Sequence, residues 1–296
     1  MKPVPVLVIL AILASMISVA GCTGAAPAKS PEATVAAAPA VAQPAPVSIS
    51  KTPVRYKDVN GVRLAYWEWG SGEPVLLIEG FGGTVANATP ATVAWNETFL
   101  GILSSEYHVY AYDHRGMGYS SFANATPTMH LYADDAAGLI QALGYDSMHV
   151  YGESMGSSTA QQLVIDHPKR VRKLILDSST YDARVPECRQ LYAVLKATAY
   201  DMNQTPGLRS EAQANLAWNG TWDDLAGIDK DVMLIVGTGD TTTPDAVSAR
   251  MAGQINGSWL VRYQGLNHIG SRYAPVQYGE TAVFFLGTDE SPLTPA

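Results

Sequence analysis

Between Val150 and Ser157 the chain reads Val-Tyr-Gly-Glu-Ser-Met-Gly-Ser. Met148 to Tyr151 are apolar or β-prone, and Ser158 to His167 carry Ala160, Leu163 and Val164 at helical spacing. A strand therefore runs into a helix with almost no connecting loop, and Ser154 stands at the corner. So sharp a corner forces the serine into strained backbone torsions. It also excludes side chains at Gly152 and Gly156, where a Cβ would strike the neighbouring strand and helix. G-x-S-x-G in this setting is a nucleophile elbow. As a bare pattern it recurs by chance, so its weight depends on whether partner residues exist.

The bulk numbers leave room for such a site. The chain has 296 residues, 47% hydrophobic and 16% charged, enough for one sizeable core plus accessory segments. A net charge of -8 with no basic cluster argues against nucleic acid as a partner. Cys22 and Cys188 are far apart, and the six histidines show no H-E-x-x-H spacing. Neither a disulfide framework nor a metal site is expected, and no cofactor is implied.

Residues 1–21 read as an export signal: Lys2, an apolar run from Val4 to Ala20, then Val19-Ala20-Gly21-Cys22. The ending resembles a prokaryotic lipobox, which implies cleavage before Cys22 and lipid on its thiol. An uncleaved anchor helix is the competing reading, and it would be short for a bilayer. Residues 22–51 are dominated by Ala, Pro, Val and Ser, as in Pro44-Ala45-Pro46, and read as a semi-extended spacer. The folded domain is expected over 52–290. Six of the nine asparagines (Asn87, Asn96, Asn124, Asn203, Asn219 and Asn256) open an N-x-[ST] triplet. Ser and Thr are frequent enough for chance to give about one or two. The excess suggests glycan acceptors on an exported chain, and with the lipobox it tilts towards an archaeal cell surface. Loop chemistry is the plainer source, since Asn and Thr both favour turns.

Along the domain, strands are expected at 54–60 and 62–69 around Asn60-Gly61, a strong hairpin signal. Further strands are expected at 74–78, 107–112, 148–151, 171–176, 232–236 and 259–263. Helices are expected at 91–104, 129–143, 158–167, 246–255 and 276–286, with an insertion at about 181–228. Strands alternating with helices argue for a mostly parallel sheet covered on both faces. Several separated signatures accompany that order: Gly80-Phe81-Gly82-Gly83, Asp113-His114-Arg115-Gly116-Met117-Gly118-Tyr119-Ser120, the elbow, Gly237-Thr238-Gly239-Asp240 with Pro244, and Asn267-His268. In order and spacing they resemble the α/β-hydrolase fold family. That resemblance implies an eight-stranded, mostly parallel sheet with helices on both faces and a small helical cap.

A serine hydroxyl needs an imidazole to accept its proton, and the imidazole needs a carboxylate to fix its tautomer. The family resemblance implies the chain order Ser154, Asp240, His268, with Asp177 as the reserve acid. The other five histidines lie in strand patterns, in the Asp113–Ser120 loop or at helix ends. An oxyanion requires preorganised backbone N–H groups. Met155, opening the elbow helix, is one expected donor, and the resemblance places the other at Phe81. Many relatives carry His where this chain has Glu79. A carboxyl group there either holds the loop through backbone hydrogen bonds or adds charge near the oxyanion. The resemblance makes Asp113 and Arg115 a structural ion pair and turn. Asp245 reads as a helix cap, and the role of Glu153 is open.

The insertion carries Tyr181, Tyr192, Tyr200, Trp218 and Trp222, either as ordinary cap packing or as an apolar acyl or alcohol pocket. Cys188 reads as a buried thiol. The leading expectation is a cofactor-independent serine hydrolase of small esters, thioesters or amides, tethered by lipid outside the cytoplasm. A lactonase or metal-free perhydrolase uses the same scaffold. A surface binding protein that has kept the fold without its chemistry is the alternative of a different class.

Overall fold

The computed structural model describes residues 43–86 and 94–288. The export signal, Cys22 and Asn87 lie outside the described residues. Among those described, no helix is long and apolar enough to cross a membrane.

Eight strands form one sheet: β1 (Arg55–Val59), β2 (Val62–Trp69), β3 (Glu73–Ile78), β4 (Tyr107–Tyr112), β5 (Met148–Glu153), β6 (Val171–Asp177), β7 (Asp231–Gly237) and β8 (Trp259–Tyr263). Their spatial order is β1-β2-β4-β3-β5-β6-β7-β8. The β1–β2 and β2–β4 pairs are antiparallel, and every later pair is parallel. The hairpin turns at Asn60 and Gly61, both at positive φ, as an Asn-Gly turn requires.

Side chains alternate across the central strands and build two cores. Leu76, Ile78, Val150, Leu174, Leu176 and Leu234 face one side. Val75, Leu77, Tyr151, Ile175, Met233 and Ile235 face the other. The first side is covered by α2 (Met129–Ala142), α3 (Met155–Asp166) and α6 (Asp245–Gln254). The second is covered by α1 (Glu97–Glu106) and α7 (Pro275–Gly287). Strands buried on both faces read as continuous apolar runs, which is why β3 and β7 were plain in the sequence. The insertion folds as two cap helices, α4 (Arg189–Ala199) and α5 (Pro206–Ala217).

Four local expectations need correction. Helix α1 begins at Glu97, not Ala91, because the Asn96 side chain caps it, accepting from the Thr98 and Phe99 amides. Residues 91–93 lie outside the described residues. Asp245 is the first residue of α6 rather than its cap, and its carboxylate pairs with Arg262. Asp113 and Arg115 do not pair with each other. Asp113 accepts from the Val85 and Tyr119 amides at 2.8 and 2.7 Å. Arg115 forks onto Asp135 with two bonds of 2.6 Å. Finally, the end of the Pro-rich stretch is packed. The Val47 N–H bonds to Glu97 O, the Ile49 N–H bonds to Glu97 Oε1 at 2.7 Å, and Ile49 is buried.

Candidate active site

In a parallel sheet the C-terminal strand ends share one edge, and ligands bind there. Ser154 follows β5, Asp240 follows β7 and His268 follows β8, so the topology alone brings the three to that edge. Ser154 has φ 53 and ψ -118, torsions disfavoured for any residue with a Cβ. The corner is held by its own amide, which bonds to Asp177 O at 2.9 Å, and by the two elbow glycines. A Cβ on Gly152 would sit 2.3 Å from Gly156 O, and one on Gly156 would sit 2.0 Å from Ile78 O. Both glycines are therefore obligatory.

The Ser154 Oγ lies 2.9 Å from His268 Nε2, and His268 Nδ1 lies 2.8 Å from Asp240 Oδ2. Asp240 is buried and saturated: its Oδ1 accepts from the Thr242 and Thr243 amides at 2.8 and 2.9 Å. Burial alone would raise its pKa. The His268 charge and hydrogen bond, with the two amides, outweigh that and hold it below the usual aspartate value. The carboxylate is thus kept ionised against the imidazole.

Two further residues hold this chain of groups, and neither was singled out from sequence. Thr243 Oγ1 lies 3.0 Å from Asp240 Oδ2 and 3.2 Å from His268 Nδ1, and it donates to Ser178 O at 2.8 Å. Ser178 Oγ receives the Ile269 N–H at 2.9 Å. Ser178 and Ile269 are both at positive φ, so the residue after His268 is kept in an uncommon torsion by a hydrogen bond from across the site. The polar run Asp177-Ser178-Ser179-Thr180 at a strand's end was the available signal.

Asp177, the reserve acid, is not bonded to His268. Its oxygens accept from Tyr151 and Ser178 hydroxyls at 2.8 and 2.9 Å. Burial, then the neighbouring Glu153, pushes its pKa up to about 7. Glu153 is itself fully buried, with Arg272 Nη2 at 3.5 Å as its ion-pair contact. Burial raises it to about 7 against the pull of Arg272. Neither of its carboxyl oxygens is hydrogen-bonded to the Ser154 hydroxyl.

The two expected oxyanion donors flank Ser154. Met155 opens α3, where a helix leaves its first amides unpaired. Gly80 to Gly83 form a turn closed by the Gly83 N–H on Gly80 O at 2.9 Å. A Cβ on Gly80 would lie 3.2 Å from Ser154 Cβ, so this backbone lies directly against Ser154. Phe81 and Met155 share an apolar cluster with Trp218, Ala214, Met129 and Tyr132.

Glu79 is buried and receives the His114 N–H at 3.4 Å through Oε1. Burial foremost, then the negative neighbours Asp113 and Glu211, push its pKa well above the usual range. A carboxyl group so disposed favours its neutral form, which supports the loop-holding role over a negative charge beside the oxyanion.

Of the cap aromatics, Trp218 is the one in the cluster beside Met155, and its Nε1 donates to Gln162 Oε1 at 2.9 Å. Tyr181 meets Trp222 in a tilted pair with ring centroids 4.7 Å apart, and Tyr200 is exposed. Tyr181 and Trp222 therefore serve cap packing. Cys188 is buried, with Thr180 Oγ1 at 3.6 Å, and burial raises its thiol to about 11, which makes it a poor nucleophile. Among the described residues no group of three or more His, Cys, Asp or Glu is arranged to hold a metal ion.

The family model described as alpha/beta hydrolase fold matches residues 73–214. A dihydrolipoyllysine-residue acetyltransferase component of an acetoin cleaving system from Cupriavidus necator is 38% identical over 125 residues, 42% of this chain and 31% of that protein. A 2-hydroxymuconate semialdehyde hydrolase from Pseudomonas is 34% identical over 122 residues, 40% of this chain and 41% of that one. The chain thus spans less than half the length of either relative. The solved enol-lactonase from Burkholderia xenovorans superposes with a TM-score of 0.65 at 21% identity, covering 79% of this chain and 100% of that one. The chain has the α/β-hydrolase fold, and residues 73–214 match the family model of that description.

Proposed function

We propose that the protein is a serine hydrolase that cleaves a small carboxylic ester, thioester or amide through an acyl-Ser154 intermediate. The observation that carries this is the unbroken relay from Ser154 Oγ to His268 Nε2 (2.9 Å) and from His268 Nδ1 to Asp240 Oδ2 (2.8 Å). His268 Nε2 takes the hydroxyl proton as Oγ bonds to the substrate carbonyl carbon. Asp240 holds the imidazole in the tautomer that leaves Nε2 free to accept, then stabilises the imidazolium. The carbonyl oxygen becomes an oxyanion within reach of the Met155 and Phe81 amides. His268 returns the proton to the leaving group as the carbonyl–leaving-group bond breaks. A water, deprotonated by the same imidazole, then releases the acid and restores Ser154.

A fluorophosphonate probe tests the proposal. Wild type is expected to be labelled at Ser154 and Ser154→Ala to remain unlabelled. An unlabelled wild type would favour a binding protein that has kept the fold. A panel of p-nitrophenyl esters and simple lactones then ranks the acyl and leaving groups, lactone preference pointing to the ring-opening variant of the same chemistry.

We further propose that the enzyme is exported and held to a membrane by lipid on Cys22, through the spacer that follows. Four of the five described N-x-[ST] asparagines, Asn124, Asn203, Asn219 and Asn256, are exposed outside helices and strands, where a glycan would fit. The intact mass of protein taken from its native membrane decides both points. A mass equal to the unmodified polypeptide would end them.

A further inference from the structure

The acyl-Ser154 mechanism dictates where each arm of a substrate must lie. Of the four groups on the tetrahedral carbon, one is Ser154 Oγ and one is the oxyanion, directed at the Met155 and Phe81 amides. The leaving group lies towards His268 Nε2, because that nitrogen returns the proton to it. The acyl chain takes the direction that remains, away from His268. In the sheet, the strands that lead to Asp240 and His268 stand on one side of β5, and β3 and β4 stand on the other. Phe81 follows β3, and α2, which follows β4, opens with Met129 and Tyr132. The apolar cluster of Phe81, Met129, Tyr132, Met155, Ala214 and Trp218 therefore occupies the acyl side.

Two members of that cluster also face outwards. Trp218 directly follows cap helix α5, Met129 is the first residue of α2, and both are buried. They line a cavity of about 310 Å³ together with Gln162, Asp166, His130 and Asp224. Neither Phe81 nor Met155 borders that cavity, so Trp218 and Met129 stand between it and the groups beside Ser154. A chain of hydrogen bonds holds the indole in place. Its Nε1 donates to Gln162 Oε1 at 2.9 Å, Gln162 Nε2 donates to Asp166 Oδ1 at 2.9 Å, and Asp166 Oδ2 lies 2.6 Å from His130 Nδ1. The Thr159 hydroxyl lies 3.6 Å from Met129 Sδ. A close-packed wall pinned in this way does not yield to extra methylenes.

We propose that Trp218, with Met129 beside it, is the specificity-determining end wall of the acyl site, so that the enzyme takes esters of short-chain acids and the cavity behind the wall is closed to them. This rests on the acyl-Ser154 proposal. Cutting back the indole joins the acyl side to the cavity and gives a longer chain a place to extend.

The test uses the whole enzyme and p-nitrophenyl esters from acetate to octanoate, read as the ratio of kcat/KM for octanoate to that for acetate. A general loss of activity cancels in this ratio, whereas a change in the acyl site does not. In wild type, kcat/KM should fall by about tenfold or more between butanoate and octanoate. Trp218→Ala should raise the octanoate-to-acetate ratio by about tenfold or more. Trp222→Ala, in the same cap segment but outside the cluster, should leave the ratio within about threefold of wild type. If Trp218→Ala does not fold, Trp218→Leu or Met129→Ala shortens the same wall and should raise the ratio by about threefold or more. A wild type that takes octanoate as readily as butanoate overturns the proposal. So does a folded variant of the wall with an unchanged ratio, or an equal rise in Trp222→Ala. Fluorophosphonate labelling of wild-type Ser154 separates this failure from failure of the hydrolase proposal itself.

Discussion

Ser154 Oγ and His268 Nε2 are 2.9 Å apart, although 114 residues separate them in the chain. A strand corner delivers one and a loop after the last strand delivers the other. In the proposed mechanism this imidazole is what makes the hydroxyl a nucleophile at neutral pH. Ser154→Ala and His268→Ala should each lower kcat by about 10⁴-fold or more, and the double variant by little beyond either, because the two act as a unit. Stopped assays with p-nitrophenyl esters measure this. Additive losses would show that the pair does not work together.

Under the proposed mechanism Asp240 and Asp177 separate as acid and structural carboxyl. Asp240→Asn keeps the size but offers an amide to His268 Nδ1 and fixes the wrong tautomer, so kcat should fall by about 10⁴-fold. Asp177→Asn should cost less than about tenfold, because its oxygens serve Tyr151 and Ser178 rather than the imidazole. The reverse ranking would move the acid to the end of β6.

Glu79 stands where the family resemblance leads one to expect His, and its burial favours the neutral acid. An amide reproduces a neutral carboxyl group and retains the acceptor for His114 N–H. Glu79→Gln should therefore stay within about threefold of wild type in kcat, while Glu79→Ala, which opens a cavity and strips that acceptor, should lose about 2 kcal/mol or more of stability. A tenfold gain in Glu79→Gln would mean that charge had been opposing the oxyanion.

The fold was legible because β3, β5, β6 and β7 are short apolar runs bounded by glycine-rich or polar turns, and a sharp corner at Ser154 admits few architectures. The chain order of Ser154, Asp240 and His268 came from the family resemblance, and in the structure each residue follows the end of a strand. What escaped sequence reasoning depends on approach in space. Glu211 sits in an Ala-rich cap helix with no local mark of its reach to Gly82. Ser178 and Thr243 look like turn residues until the loop after β8 is laid across them. Arg115 finds Asp135 on α2 rather than its sequence neighbour Asp113, because helix packing, not proximity in sequence, decides ion-pair partners. Asn96 shows the same limit at short range: apolar spacing extended the helix backwards, whereas its side chain ends it.

The carboxyl pair beneath the elbow makes stability fall with rising pH. Glu153 and Asp177 stand in register on β5 and β6, and burial pushes each to about 7. A carboxyl group with a raised native pKa binds more protons folded than unfolded, so its contribution is fully present below the unfolded value and is lost as pH rises through about 7. Glu153 moves from 4.5 to about 7, which corresponds to roughly 3 kcal/mol at the alkaline end. Asp177 moves in the same direction, from 3.8 to about 7, with Glu153 among the causes, so the two titrate as one system. Chemical denaturation of wild type should thus show lower stability at pH 8 than at pH 5, opposite in sign to the contribution of Asp240, whose lowered pKa is lost only on acidification. Glu153→Gln removes one titrating group, keeps the volume and leaves Arg272 a carbonyl oxygen, so its profile should be flatter between pH 5 and 8. Equal slopes for wild type and Glu153→Gln over that window would show that the buried carboxyl group is already ionised in the folded protein, compensated by Arg272 and the Gly80 N–H.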